Sequence, residues 1–118
     1  MSVNRKLIET YFQTVDRTKV AALLADDAEW VEWGDGVPMT GVRHRGKQAY
    51  VENRGDDEHH TNITRWVEDG DTIVAEGRVK VNKKDGQVFH VQFIDIFELE
   101  QGKIRRKTSY GALLTGSA

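Results

Sequence analysis

The sequence predicts an α+β domain in which helices come first and long antiparallel strands follow. Apolar residues recur at helical spacing near the amino terminus, where they form one continuous stripe. The second half instead contains four strand-like stretches, over residues 60–68, 72–82, 87–100 and 103–114. Turn residues separate these stretches at hairpin spacing, so we expect consecutive strands to pair as an antiparallel meander.

The first helix is predicted over residues 4–15, where the apolar stripe consists of Leu7, Ile8, Tyr11, Phe12 and Val15. Asn4 is expected to cap this helix, because a side-chain oxygen at that position can accept a hydrogen bond from the first turn. A second short helix is expected to start at Asp16 or Thr18. The two helices would together supply an apolar layer for one face of the sheet.

The stretch between the helices and the meander contains less regular signals. Residues 28–33 are short and partly aromatic, which predicts a first strand. Residues 34–46 hold four of the eleven glycines and the only proline, so an irregular loop is expected. Residues 46–54 predict one more short helix, with Ala49 and Tyr50 turned inward, and Gly55-Asp56-Asp57 is expected to end it.

Alternation divides the side chains of residues 87–100 between two faces of the sheet. His90, Gln92 and Ile94 share one face, whereas Phe93 and Asp95 share the other. Because both faces carry large apolar groups, both need a covering layer, and the helices can cover only one. A second copy of the chain is therefore expected on the other face, which predicts a homodimer through the sheet.

Composition excludes several classes of function. The 118 residues suit a single domain, expected over 1–118, and the absence of cysteine excludes thiolate catalysis. With a formal net charge of −2, nucleic acid is not an expected partner. The basic residues Lys103, Arg105, Arg106 and Lys107 are expected to form the solvated face of a strand, with a phosphate-binding patch as the alternative. No apolar run is long enough for a signal peptide or a membrane span, so a cytoplasmic location is expected and no membrane contact.

Metal binding is also not expected. His59 and His60 are adjacent on a predicted strand, and adjacent strand residues point to opposite faces, so the two imidazoles are badly placed to share one ion. A role for either histidine as an acid–base group at a cavity opening remains open, with a surface position as the alternative.

Three motifs, in order, resemble those of the nuclear transport factor 2-like superfamily. They are Ala25-Asp26-Asp27-Ala28-Glu29-Trp30 before the first strand, Gly46-Lys47-Gln48-Ala49 at the middle helix, and the late hairpin from Asp95 to Ile104. Over nearly the whole chain the pattern is most similar to the SnoaL-like and ketosteroid isomerase-like branch. The resemblance implies a cystatin-like cone, in which N-terminal helices pack on a curved, mostly antiparallel sheet and enclose a pocket.

The resemblance also implies a site. Ketosteroid isomerases use a carboxylate base together with an oxyanion hole made by a tyrosine and a protonated aspartic acid. Here Tyr11 resembles the tyrosine, Glu32 stands where the base falls, and Gln92 stands where the second donor falls, with His90 on the same strand face. The residues expected to bind the ligand through apolar contacts are Phe12, Trp30, Trp33 and Ile94.

These residues predict proton transfer without a cofactor on a small hydrophobic carbonyl compound, of the isomerase, cyclase or dehydratase type. The alternative is a domain that binds a hydrophobic ligand or a partner without catalysis. Each residue also has an alternative role: Glu32 as a strand-end carboxylate in water, Tyr11 as a core residue, and Gln92 with His90 as polar groups of the dimer interface.

One relative is disfavoured by the residues present. Limonene epoxide hydrolases of this fold use an Arg-x-Asp on one long strand and a further aspartate on the last strand. This chain has Arg78-Val79-Lys80 at the first position and Ser109 near the second. Because neither aspartate is present, the resemblance does not imply epoxide hydrolysis.

Overall fold

A computed structural model describes residues 2–53 and 57–115, and in them helices pack on one face of a curved, unclosed six-stranded sheet. The strand order is β2-β1-β6-β5-β4-β3. The elements are, in chain order, α1 Val3–Gln13, α2 Arg17–Ala21, β1 Leu24–Gly34, β2 Val42–Arg45, α3 Lys47–Asn53, β3 Glu58–Asp69, β4 Thr72–Asn82, β5 Val88–Glu100 and β6 Lys103–Thr115. The α+β class and the cone-like arrangement are therefore confirmed.

The helix starts follow from local capping. Ser2, rather than the expected Asn4, caps α1, because its hydroxyl accepts a hydrogen bond from the Arg5 N–H at 3.0 Å. Of the two candidates, Asp16 and Thr18, it is Asp16 that caps α2, and it accepts hydrogen bonds from the N–H groups of Thr18 and Lys19. The expected end of α3 at Gly55 and Asp56 lies outside the described residues.

The four long strands pair antiparallel in the order expected for a meander. Two features of the sheet were not predicted. Residues Val42–Arg45, expected to be loop, form β2 and pair with β1, although the sequence Val-Arg-His-Arg carries no apolar alternation that would reveal a buried face. In addition, β1 runs parallel to β6, a long-range pairing that no local signal specifies.

The hydrophobic core lies between the helices and the inner face of the sheet. Its fully buried members include Ile8 of α1, Val20 of α2 and Phe97 of β5. Alternation then places Phe93 and Asp95 on the same inner face as Phe97, and both are buried. The opposite face of β5 carries His90, Gln92 and Ile94, and Ile94 is 37% exposed.

A β-bulge near the start of β6 decides which of its basic residues points inward. Leu99 pairs with Ile104 but Glu98 pairs with Arg106, so Arg105 is one extra residue without a partner on β5. Because the bulge shifts the alternation by one residue, both Ile104 and Lys107 face the helices. The expectation of a solvated basic face is therefore wrong for Lys107, although Lys103 and Arg105 are exposed.

Among the described residues, no helix has the length and apolar character that a membrane crossing requires.

Candidate functional site

A cavity of about 430 Å³ opens between the inner face of the sheet and the helices α1 and α3. Aromatic side chains form much of its wall, namely Phe12, Trp30, Trp33, Tyr50 and Phe93. Phe12 lies 5.9 Å from Phe93, and Trp30 lies 5.2 Å from Tyr50, both measured between ring centroids. The exposed residues Asp35 and His59 line its solvent side. The volume and the aromatic walls suit a small hydrophobic molecule.

Strand register aligns the polar groups of this cavity. Ser109 of β6 pairs with Glu32 of β1 on one side and with Asp95 of β5 on the other, so the three side chains form one row across three strands. Two residues earlier on β6, Lys107 pairs with Trp30 and with Phe97. Because residues two apart on a strand share a face, both rows point into the cavity.

Lys107 is the cation of this cavity. Its Nζ donates a hydrogen bond to the Tyr11 hydroxyl at 2.9 Å and lies 3.8 Å from Asp95 Oδ2. The Tyr11 hydroxyl also shares a hydrogen bond with the Tyr50 hydroxyl. Burial by itself lowers the pKa of Lys107, but the negative charge that Tyr11, Asp95 and Tyr50 can carry beside it raises the pKa overall, well above the ordinary value. The ammonium therefore stays protonated at neutral pH.

Two carboxyl groups in the cavity hold their protons more tightly than usual. Burial raises the pKa of Glu32, and the nearby Asp95 adds to this effect, although Lys107 and His44 oppose it. Burial also raises the pKa of Asp95, which is 5% exposed, against the opposing charge of Lys107. A pair of carboxyl groups with raised pKa values is suited to divide the roles of base and proton donor.

Two buried polar atoms in the cavity wall lack a hydrogen-bond partner of normal geometry among the described residues. They are Trp30 Nε1 and Ser109 Oγ. Each lies close enough to a carboxyl group, Glu32 and Asp95 respectively, to favour its ionised form slightly. Because an unsatisfied buried polar group is unfavourable by about 1–3 kcal/mol, a ligand or a water that pairs with these atoms would be stabilised here.

The structure brings together some of the residues that the sequence proposed and separates others. Tyr11 and Glu32 line the cavity, together with Phe12, Trp30 and Trp33.

Three further proposed residues, Gln92, His90 and Ile94, lie on the outer face of the sheet, where Gln92 Oε1 accepts a hydrogen bond from Arg78 Nε at 3.1 Å. Gln92 therefore cannot donate to a ligand in this cavity, nor can His90 act there. These residues were expected in the cavity because the alternation of side chains along β5 separates two faces of the sheet but does not show which face the helices cover.

Sequence reasoning also missed several polar residues of the cavity, among them Tyr50, Asp95, Lys107 and Ser109. Asp95 was recognisable as a lone carboxylate between Phe93 and Phe97 on an otherwise apolar strand face, which is a signal of a buried functional acid. Lys107 carried no such signal, because the bulge at Arg105 reverses its direction. No cluster of three metal-binding side chains occurs within residues 2–53 and 57–115.

Comparison with known proteins places the fold. The model of the SnoaL-like domain family matches residues 5–107. A nuclear transport factor 2-like protein of unknown function from Burkholderia pseudomallei superimposes with a TM-score of 0.75 at 24% identity, covering 92% of this chain and 90% of that one. A ketosteroid isomerase candidate from Kribbella flavida has a TM-score of 0.69 at 23% identity, with 92% and 77% covered.

A further similar structure is an epoxide hydrolase of the limonene type from Mycobacterium tuberculosis, with a TM-score of 0.73 at 19% identity and 92% and 82% of the two chains covered. At these identities the likeness establishes the fold and not an activity. No curated protein matches the chain.

Proposed function

The chain belongs to the SnoaL-like domain family of the nuclear transport factor 2-like superfamily, and from this premise we propose that it catalyses proton transfer, without a cofactor, on a small hydrophobic carbonyl compound. The reaction is of the isomerase, cyclase or dehydratase type. One observation carries the proposal: the half-buried Glu32 carboxyl, the buried Asp95 carboxyl and the Tyr11–Tyr50 hydroxyl pair line the same aromatic cavity.

Glu32 acts as the general base in this proposal. Its carboxylate removes a proton from the carbon next to the carbonyl group, and the electron pair of the broken C–H bond moves onto the carbonyl oxygen to give an enolate. Because burial raises the pKa of Glu32, its carboxylate is a stronger base than one in water. Protonated Glu32 then returns the proton, to the same carbon or to a conjugated one.

Tyr11 and Asp95 stabilise the enolate oxygen. The Tyr11–Tyr50 hydroxyl pair supplies one hydrogen-bond donor, and Asp95, whose pKa burial raises, supplies another when it is protonated. A donor of this kind lowers a reaction barrier by about 3 kcal/mol when it is aimed at the developing charge. Asp95 thus takes the role for which the sequence proposed Gln92.

The experiment is solvent deuterium incorporation into a panel of hydrophobic ketones, followed by mass spectrometry. Glu32→Gln should slow the exchange by about 10²- to 10⁴-fold, because the amide cannot accept the proton. The matched control is Glu29→Gln, since Glu29 lies on the other face of β1 and pairs with Arg45 at 3.2 Å.

Exchange that persists in Glu32→Gln would show that the base is misassigned. Ketone binding with no exchange in the wild-type protein would favour the second reading, a domain that binds a hydrophobic ligand without catalysis.

We further propose that a second copy of the chain covers the outer face of the sheet. Ile94 is 37% exposed there, and its partner on β6, Tyr110, which also lines part of the cavity, is 46% exposed. Leu114, at 46% exposed, lies further along the same face. A homodimer formed through this face would remove these exposed apolar side chains from water. Most homodimers have two-fold symmetry, which brings the same face of both copies together.

A further inference from the structure

The ammonium group of Lys107 adds a positive charge to the carboxyl and hydroxyl groups of the cavity. The side chain of Lys107 is 18% exposed, and its Nζ reaches both the Tyr11 hydroxyl and the Asp95 carboxyl. It also lies 5.1 Å from the centre of the Tyr11 ring. A lysine held so deeply is unfavourable unless nearby groups stabilise its charge, and here a carboxyl, a hydroxyl and an aromatic face all do so.

The ammonium changes what the hydroxyl pair can do. Lysine is a donor only, so the Tyr11 oxygen must accept the hydrogen bond that joins them. A cation that donates to a phenol oxygen draws electron density from it and makes the hydroxyl proton a stronger donor. A neutral carbonyl oxygen gains little from a full positive charge nearby, whereas an oxygen that already carries negative charge gains much more.

We propose that Lys107 makes this cavity selective for hydrophobic acids of the enol or phenol class, which bind as the oxyanion with their oxygen at the Tyr11–Tyr50 hydroxyl pair. The inference rests on the proposed function for the position of the oxygen and narrows its substrate to carbonyl compounds that ionise readily, such as 1,3-dicarbonyl compounds. Lys107 acts through Tyr11 and is a positioning and specificity residue.

The charge balance of the cavity is compatible with an anionic ligand. When an enol or phenol gives up its O–H proton, one of the two carboxyl groups, Glu32 or Asp95, can take it, since burial raises the pKa of both. The bond broken is the ligand O–H, the bond formed is the carboxyl O–H, and the net charge of the occupied cavity does not change. His44 stacks on Trp30 at 4.8 Å between ring centroids, and a positive charge on it would lower the pKa of Glu32.

The test uses 4-nitrophenol, whose absorption spectrum distinguishes the phenol from the phenolate, and nitrobenzene as the neutral analogue. In the wild-type protein, bound 4-nitrophenol should ionise at a lower pH than free 4-nitrophenol. Lys107→Met should abolish this shift and weaken phenolate binding by about tenfold or more, because the bound oxyanion loses the nearby positive charge of the ammonium. Nitrobenzene binding should change less than about twofold, because its contacts are apolar.

Two further variants serve as controls. Lys107→Arg keeps the charge and should restore part of the spectral shift. Lys80→Met makes the same chemical change at an exposed position on the outer face and should leave the binding of both probes as in the wild-type protein. If Lys107→Met fails to fold, Lys107→Gln takes its place, because it removes the charge but keeps a donor near the Tyr11 hydroxyl, and it should likewise abolish the spectral shift.

The inference is overturned if the wild-type protein binds 4-nitrophenol in its protonated form, if it does not bind 4-nitrophenol at all, or if folded Lys107→Met ionises it equally well. These outcomes are separable from the fate of the catalytic proposal. If Glu32→Gln loses deuterium exchange and the wild-type protein binds 4-nitrophenol in its neutral form, the catalytic proposal is supported and the present inference is wrong. If the wild-type protein binds the phenolate but deuterium exchange is unaffected in Glu32→Gln, the present inference is supported and Glu32 is not the base.

Discussion

Replacement of Phe97 by alanine tests which face of β5 lies inward. Phe97 is completely buried, and its ring centroid lies 5.2 Å from that of Tyr11 and 5.6 Å from that of Phe12. Truncation of a buried phenylalanine destabilises a protein by about 3–5 kcal/mol, because it removes apolar burial and leaves a cavity. Against a total stability of about 5–15 kcal/mol for a domain, this is a large fraction.

The matched variant is Ile94→Ala, three residues earlier on the same strand and on the opposite face. Because Ile94 is already 37% exposed, its truncation should lower the free energy of unfolding by about 1 kcal/mol. Urea denaturation followed by circular dichroism measures both variants. The assay needs several protein concentrations, since a dimer interface at Ile94 would make its effect depend on concentration.

The result that would refute the reasoning is an Ile94→Ala variant at least as destabilised as Phe97→Ala at low protein concentration. The inner and outer faces of β5 would then be exchanged. Gln92 would return to the cavity, and Asp95 would leave it.

Three other predictions test the frame of the site. Gly34→Ala should destabilise the fold by at least about 2 kcal/mol more than Gly36→Ala in urea denaturation. Both glycines have a positive φ, but a Cβ on Gly34 would lie 2.0 Å from the Gly111 carbonyl oxygen, whereas a Cβ on Gly36 would meet nothing within 4 Å. Equal effects of the two substitutions would contradict the close approach of β1 to β6. Burial raises the pKa of Glu32 above 4.5 in the folded protein, so the folded state binds this proton more tightly than the unfolded state does. Wild-type stability should therefore fall as the pH rises from 4.5 through the raised pKa, and Glu32→Gln should show a shallower fall in a pH series of urea denaturation curves; parallel curves would argue against burial of the carboxyl. Ile94→Glu should convert the proposed dimer to a monomer in sedimentation velocity, since it places a charge among the exposed apolar residues of the outer face, and a wild-type monomer at micromolar concentration would contradict the dimer.

Features that depend on neighbouring residues were predictable from the sequence. The stripe from Leu7 to Phe12 specified an amphipathic helix, Asp16, one of the two candidates, capped the second helix, and the Gly70 and Gly102 turns specified hairpins. Such signals act over a few residues and survive in any tertiary context. The position of Ser2 as the first cap was missed because Ser2 and Asn4 are equally good capping residues.

The candidate site was only partly predictable. Tyr11 and Glu32, to which the resemblance to the family pointed, both line the cavity, and Tyr11 also belongs to the apolar stripe of α1. Gln92 was expected in the cavity and Asp95 was given no role there, because β5 is apolar on both faces, and a strand of that kind has no preferred side until the helices dock.

The sequence by itself therefore determined the class of fold, the hairpins and the apolar character of the cavity. Only the tertiary structure decided that Asp95 and Lys107 meet Tyr11 inside it, while Gln92 and His90 face outward. The physical reason is the two-residue repeat of a β-strand: one unpaired residue, Arg105, or the choice of which face the helices cover, exchanges every side chain that follows between the cavity and the outer surface.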